Sequence, residues 1–165
     1  MLLARQAIEA AMQNIYRSLT WRLTEGFSSL VRAGDAPFAD IDDPIERMSA
    51  RYARLANAYL LSRPDYPFDM GRQASSPTPA ESFARYHRAV PAGVHLALVT
   101  ARAGSGDPGC RDAALAAAKA ALAGMDGSLD ALARMAAEDR DPRLDLLQAQ
   151  LRWLRRELEA RFSRT

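Results

Sequence analysis

Residues Asp107 to Phe162 read DPGCRDAALAAAKAALAGMDGSLDALARMAAEDRDPRLDLLQAQLRWLRRELEARF, and their periodicity decides the fold. Leu115, Ala118, Leu122, Met125, Leu129, Leu132 and Ala136 recur at alternating spacings of three and four. That is a heptad-like seam held for about three repeats. It passes through Gly124 and Gly127 without losing register, so one helix over 107–138 is expected, although each glycine costs a helix roughly 1 kcal/mol relative to alanine. Leu144, Leu147, Leu151, Leu154 and Leu158 continue the pattern over 141–162. Asp141 supplies a cap and Pro142 suits a first helical position. The short polar connection Glu138-Asp139-Arg140-Asp141 predicts an antiparallel hairpin. The first arm is rich in alanine on most faces, which lets other helices approach on more than one side and marks it as the centre of a bundle.

Upstream, Ile8, Met12, Ile15, Leu19, Leu23, Phe27 and Leu30 give one long amphipathic helix over 2–33, with Gly34 as its terminator. Asp43-Pro44-Ile45-Glu46 opens a helix over 43–62, with Ile45, Met48, Tyr52, Leu55 and Tyr59 on one face. Thr78-Pro79-Ala80-Glu81 opens another over 79–103, kinked or split at Pro91. Between these two, residues 63–78 hold Pro64, Pro67, Gly71 and Pro77 and read as a long irregular loop. The expected architecture is therefore all-α: an irregular bundle of five helices, or six if Pro91 divides one, built on the C-terminal hairpin.

A chain of 165 residues supports one domain with a sizeable core. Charged residues make up 25% and hydrophobic residues 48%, an ordinary globular balance, and the net charge of +2 gives no strong pull toward nucleic acid. Lys119 is the sole lysine, an arginine bias expected of a GC-rich bacterial genome. The single cysteine, Cys110, rules out an internal disulfide and fits a reducing cytoplasm. The opening Met1-Leu2-Leu3-Ala4-Arg5-Gln6 lacks the basic region and apolar core of a signal peptide, and no apolar run has transmembrane length.

Motifs with chemical meaning are few. Gly104-Ser105-Gly106-Asp107-Pro108-Gly109 matches G-x-G-x-x-G, but a dinucleotide site needs a strand before it and an acidic residue ending a second strand. An interhelix linker is the expected reading, with no cofactor. His87 and His95 are eight residues apart and lack the spacing of a helical metal pair. The cluster Asp40, Asp42, Asp43 and Glu46 is accounted for by capping and favourable charge at a helix N-terminus. Neither paired Glu-x-x-His motifs nor a Gly-x-Ser-x-Gly elbow occurs. Cys110 lies just inside a helix N-terminus, a position that favours a thiolate, with no histidine near it in sequence.

Two stretches suit contact with a partner. Tyr66, Phe68 and Met70 place apolar side chains in the irregular loop, where they must pack back on the bundle or meet another molecule. Arg152, Arg155, Arg156, Arg161 and Arg164 beside Trp153 make the most basic face, interrupted by Glu157 and Glu159.

From Asp43 to Met70 the chain resembles the effector-binding half of TetR-type repressors. In those proteins a helix opening Asp-Pro-x-Glu-Arg runs into a tyrosine-containing stretch and ends near a proline and an aromatic residue. Asp43, Pro44, Glu46, Arg47, Tyr59, Pro64 and Tyr66 take those places here. The resemblance covers a small part of the chain, and no DNA-binding head is legible ahead of it. What it implies is a helical small-molecule pocket. With no catalytic constellation legible, and with alanine-rich faces and long heptad-like seams suited to docking, the expected function is that of a non-enzymatic interaction protein: an adaptor, chaperone or accessory subunit that binds another protein or itself through helical faces. The alternative is a small-ligand sensor with an apolar interhelical pocket lined by Tyr52, Tyr59, Phe83 and Tyr86.

Overall fold

The structure, a computed structural model, describes Arg5, Gln6, Ile8, Met12 and residues 26–66, 78–86, 90–104 and 106–165. For 85–86 and 90–96 it describes the backbone alone. The described residues form six α-helices: α1 (Phe27–Ala33), α2 (Pro44–Ser62), α3 (Pro79–Tyr86), α4 (Val90–Ala103), α5 (Pro108–Asp139) and α6 (Pro142–Arg164). A short 3-10 turn, Ala36–Phe38, joins α1 to α2. No strand occurs among the described residues.

The proline-marked helix starts form because an aspartate or threonine takes up the free amides just ahead of each proline. The Asp43 carboxylate accepts from the Ile45 and Glu46 amides at 2.8 and 3.4 Å. Asp107 accepts from Gly109 and Cys110 at 3.0 and 3.3 Å, and Asp141 from Arg143 at 2.9 Å. The Thr78 hydroxyl accepts from Glu81 at 3.2 Å. Each such cap is worth roughly 1 kcal/mol, and the proline that follows has no amide to satisfy.

The long helix expected over 2–33 is interrupted. Gly26 is extended, with φ −74° and ψ 157°, and stands as the N-cap of α1. Glycine is the residue that gives up least by leaving a helix, which suits it to this place ahead of α1. Most of residues 1–25 lie outside the described residues. At the other proline of interest, Pro91 is the second residue of α4, where its missing amide breaks no helical bond. The 79–103 segment is accordingly two helices, α3 and α4.

Helix α5 runs unbroken for 32 residues through Gly124 and Gly127. It packs against α3, α4 and α6. Its buried positions are wider than the seam, because Ala114, Ala131 and Met135 join Ala118, Leu122, Met125 and Leu132. Alanine on several faces therefore does what its size suggests, letting three helices approach one. Leu144, Leu147, Leu151, Leu154 and Leu158 of α6 are all essentially inaccessible, each contributing roughly 1.5–3 kcal/mol of transfer free energy. The turn between the arms is reduced to Arg140 and Asp141. Arg140 adopts the left-handed conformation (φ 49°, ψ 36°), and its amide donates to the Ala136 carbonyl at 3.1 Å. A single core unites these elements, with Tyr52, Leu55 and Tyr59 of α2, Phe83 of α3 and Phe27 and Leu30 of α1.

Candidate interaction surface

Arginine placement organises the surface. Three of these cations are built into the framework by carboxylates. Arg161 of α6 reaches Asp43 at 2.7 Å, tying the cap of α2 to the last turns of the chain. Arg63 donates to Asp65 at 2.8 Å, to Asp139 at 3.0 Å and to the Tyr59 hydroxyl at 3.0 Å. Arg143 is held by Asp141 at 2.7 Å, donates to the Ser62 hydroxyl at 2.9 Å, and lies over the Tyr59 ring at 4.9 Å. The last two bind the C-terminal end of α2 to the turn between α5 and α6.

The titration behaviour follows from this wiring. Arg161 beside Asp43, with help from the Ile45 and Glu46 amides, lowers that carboxyl to about 2 despite its partial burial. Arg63 lowers Asp65, and Arg143 lowers Asp141. Burial raises the phenols of Tyr52 and Tyr59, the second opposed by the Arg63 hydrogen bond.

The arginine face expected beside Trp153 divides into used and unused members. Arg155 is half-buried and spent on Asp126 at 2.9 Å and Glu159 at 3.1 Å, the first across the hairpin and the second along α6. Arg152 is exposed and, among the described residues, donates only to the neutral Gln148 side chain, at 3.0 Å. Arg156 is exposed and has no hydrogen-bond or ion-pair partner among the described residues. These three line an open groove of about 430 Å³ together with Leu129 and Ala149. Trp153 is not at its edge: it is half-buried and packs against the core.

A second groove, of about 390 Å³, lies between α1 and the start of α6. It was not legible beforehand. The available signal was apolar residues off the helical stripes, Val31 next to Leu30 and Leu146 between Leu144 and Leu147.

Of the loop aromatics, Tyr66 packs against the core, while Phe68 and Met70 lie outside the described residues. Tyr52, Tyr59 and Phe83 are buried in the core at 1%, 2% and 0% exposure. Neither groove is lined by them. The side chain of Tyr86 lies outside the described residues, as do His87 and the side chain of His95.

The glycine-rich match joins α4 to α5, and the segment before it is helical, so the strand a dinucleotide turn requires is not there. Its backbone is tight. A β-carbon on Gly104 would meet the Cys110 sulfur at 3.1 Å and the Thr100 carbonyl at 3.2 Å. Cys110 itself is exposed, and its amide is already taken by Asp107. In the acidic cluster, Asp43 is committed to capping and to Arg161, while the Asp42 carbonyl accepts from Arg47. No group of three or more histidine, cysteine or acidic side chains among the described residues could hold a metal ion. No described helix is long and apolar enough to cross a membrane.

No known protein family matches the chain, and no curated protein or solved structure is significantly similar to it.

Proposed function

We propose that the chain is a non-enzymatic helical interaction protein, an adaptor or accessory subunit that meets an acidic partner on the outer face of its C-terminal hairpin. The observation that carries this reading is the division among the arginines. Arg161, Arg63, Arg143 and Arg155 are neutralised by carboxylates of the chain itself. Among the described residues Arg152 and Arg156 are left without one, beside the apolar Leu129 and Ala149. A planar cation with free donors next to apolar surface is the usual chemistry of an interface anchor.

Native mass spectrometry of the protein isolated from its own host tests this, because it reports oligomer and partner together. Retention of a partner that is lost in the double variant Arg152→Glu, Arg156→Glu is the expected result. These are exposed positions, so the variant should melt within about 0.5 kcal/mol of the parent. A strict monomer by light scattering, with nothing retained at the hairpin, would count against the proposal.

A further inference from the structure

The groove between α1 and α6 has a different chemistry from the arginine face. Phe27, Val31, Pro142 and Leu146 make its apolar surface, and Arg32 and Arg143 stand beside them. Its volume of about 390 Å³ falls within the ordinary range of small-ligand clefts. Val31 remains 36% exposed, an apolar side chain with open space in front of it.

The two arginines differ in a way that suits an anion. Arg32 is exposed, its hydrogen bond goes to the Ser29 hydroxyl at 3.4 Å, and no carboxylate among the described residues matches its charge. Arg143 is the fixed member. Asp141 takes its Nε–H and one terminal N–H, Ser62 takes another, and the rings of Phe27 and Tyr59 lie under the guanidinium at 5.9 and 4.9 Å. A guanidinium has five N–H donors, so one remains on each terminal nitrogen, already oriented. No acidic side chain lines the groove.

We propose that this groove binds a small amphipathic carboxylate of the single-chain fatty-acid type. The alkyl chain lies along Phe27, Val31, Pro142 and Leu146, and the carboxylate sits between Arg32 and the two free donors of Arg143. Burial of the chain supplies the attraction, in proportion to the apolar surface covered. The arginines supply the preference for an acid over an alcohol, since charge-assisted bonds to a guanidinium are about twice as strong as neutral ones. The site is independent of the Arg152 and Arg156 surface, so either can fail without the other.

The test is titration of the full chain with decanoate, kept below its micelle concentration and followed by calorimetry and amide chemical shifts. Expected are saturation at one equivalent, shifts confined to α1 and the start of α6, and affinity for decan-1-ol about tenfold weaker or worse. Decyltrimethylammonium should not bind. Arg32→Glu should weaken decanoate about tenfold and leave the alcohol unchanged. Leu146→Trp and the more exposed Val31→Trp should each abolish both by filling the groove, and the second keeps that arm readable if the first perturbs folding. Equal affinity for acid and alcohol, decanoate binding unaffected by Arg32→Glu, or shifts centred on Arg152 and Arg156 would overturn the proposal. So would association with phosphatidylglycerol vesicles without any response to monomeric decanoate.

Discussion

Asp43 shows how much one side chain can be asked to do. It caps α2 through the Ile45 amide and pairs with Arg161 from the far end of the chain. Its carboxyl is lowered from 3.8 to about 2, so the charged form is favoured in the folded state. The sign follows directly. This contribution is fully present above about pH 4 and is lost as pH falls through 2. With side-chain exposures of 29% and 20% the pair is incompletely shielded, and on the order of 1–2 kcal/mol is at stake. Asp43→Asn keeps a competent cap and removes the charge, so its stability deficit at pH 7 should shrink below about pH 4, be mostly gone at pH 2 and vanish beneath it. Asp43→Ala should be less stable than the Asn variant by roughly a further 1 kcal/mol at both pH values, because the cap is gone as well. Thermal unfolding across that range separates the two roles, and parallel pH profiles for parent and Asn variant would exclude the ion pair as a contributor. The cap was legible from Asp-Pro-x-Glu alone. The pairing was not, since local sequence cannot say that residue 161 comes back to residue 43.

Helix α5 is the element on which the sequence reading turned. Register held through Gly-Met-Asp-Gly, and the helix is continuous there. Packing on its neighbours outweighs a local preference worth roughly 1 kcal/mol per glycine. At Gly127 the glycine serves no contact: an added β-carbon would meet nothing within 4 Å. Gly127→Ala should therefore stabilise the protein by about 1 kcal/mol and raise its melting temperature by about 2–4 °C. A neutral or lower value would mean that α5 needs its flexibility at this point. The opposite outcome at Gly26, which is extended and stands ahead of α1, shows the limit of reading glycines by register alone. Phe27 and Leu30 keep the expected spacing and both are buried, yet Gly26 just ahead of them is extended. Periodicity reports which side chains face the core and is blind to a single residue turned out of the helix.

At the scale of the molecule, the layout was legible wherever burial alone decides it. The leucines of α6 and the aromatic face of α2 are where the 3.6-residue period puts them. What stayed hidden are features that depend on two distant segments meeting: the Arg63–Asp139 bridge, the Arg143–Ser62 bond and both grooves. The central position of α5 also has a bearing on how the chain is made. Synthesis runs from the N-terminus, so α3 and α4 leave the ribosome before α5, against which they pack, and α2 before its main partner α6. Helix α2 can meet α1 and α4 early, but the faces of α2, α3 and α4 that meet the hairpin stay uncovered until it has followed, and segments in that condition are prone to aggregate. Stalled chains ending near residue 104 should be digested readily by protease, while chains extended past residue 164 should resist; protection already complete at the shorter length would show that α1 to α4 assemble unaided. Translation speed across the codons for 108–164 thereby becomes a determinant of yield, and slow decoding there prolongs the time that the earlier helices spend uncovered.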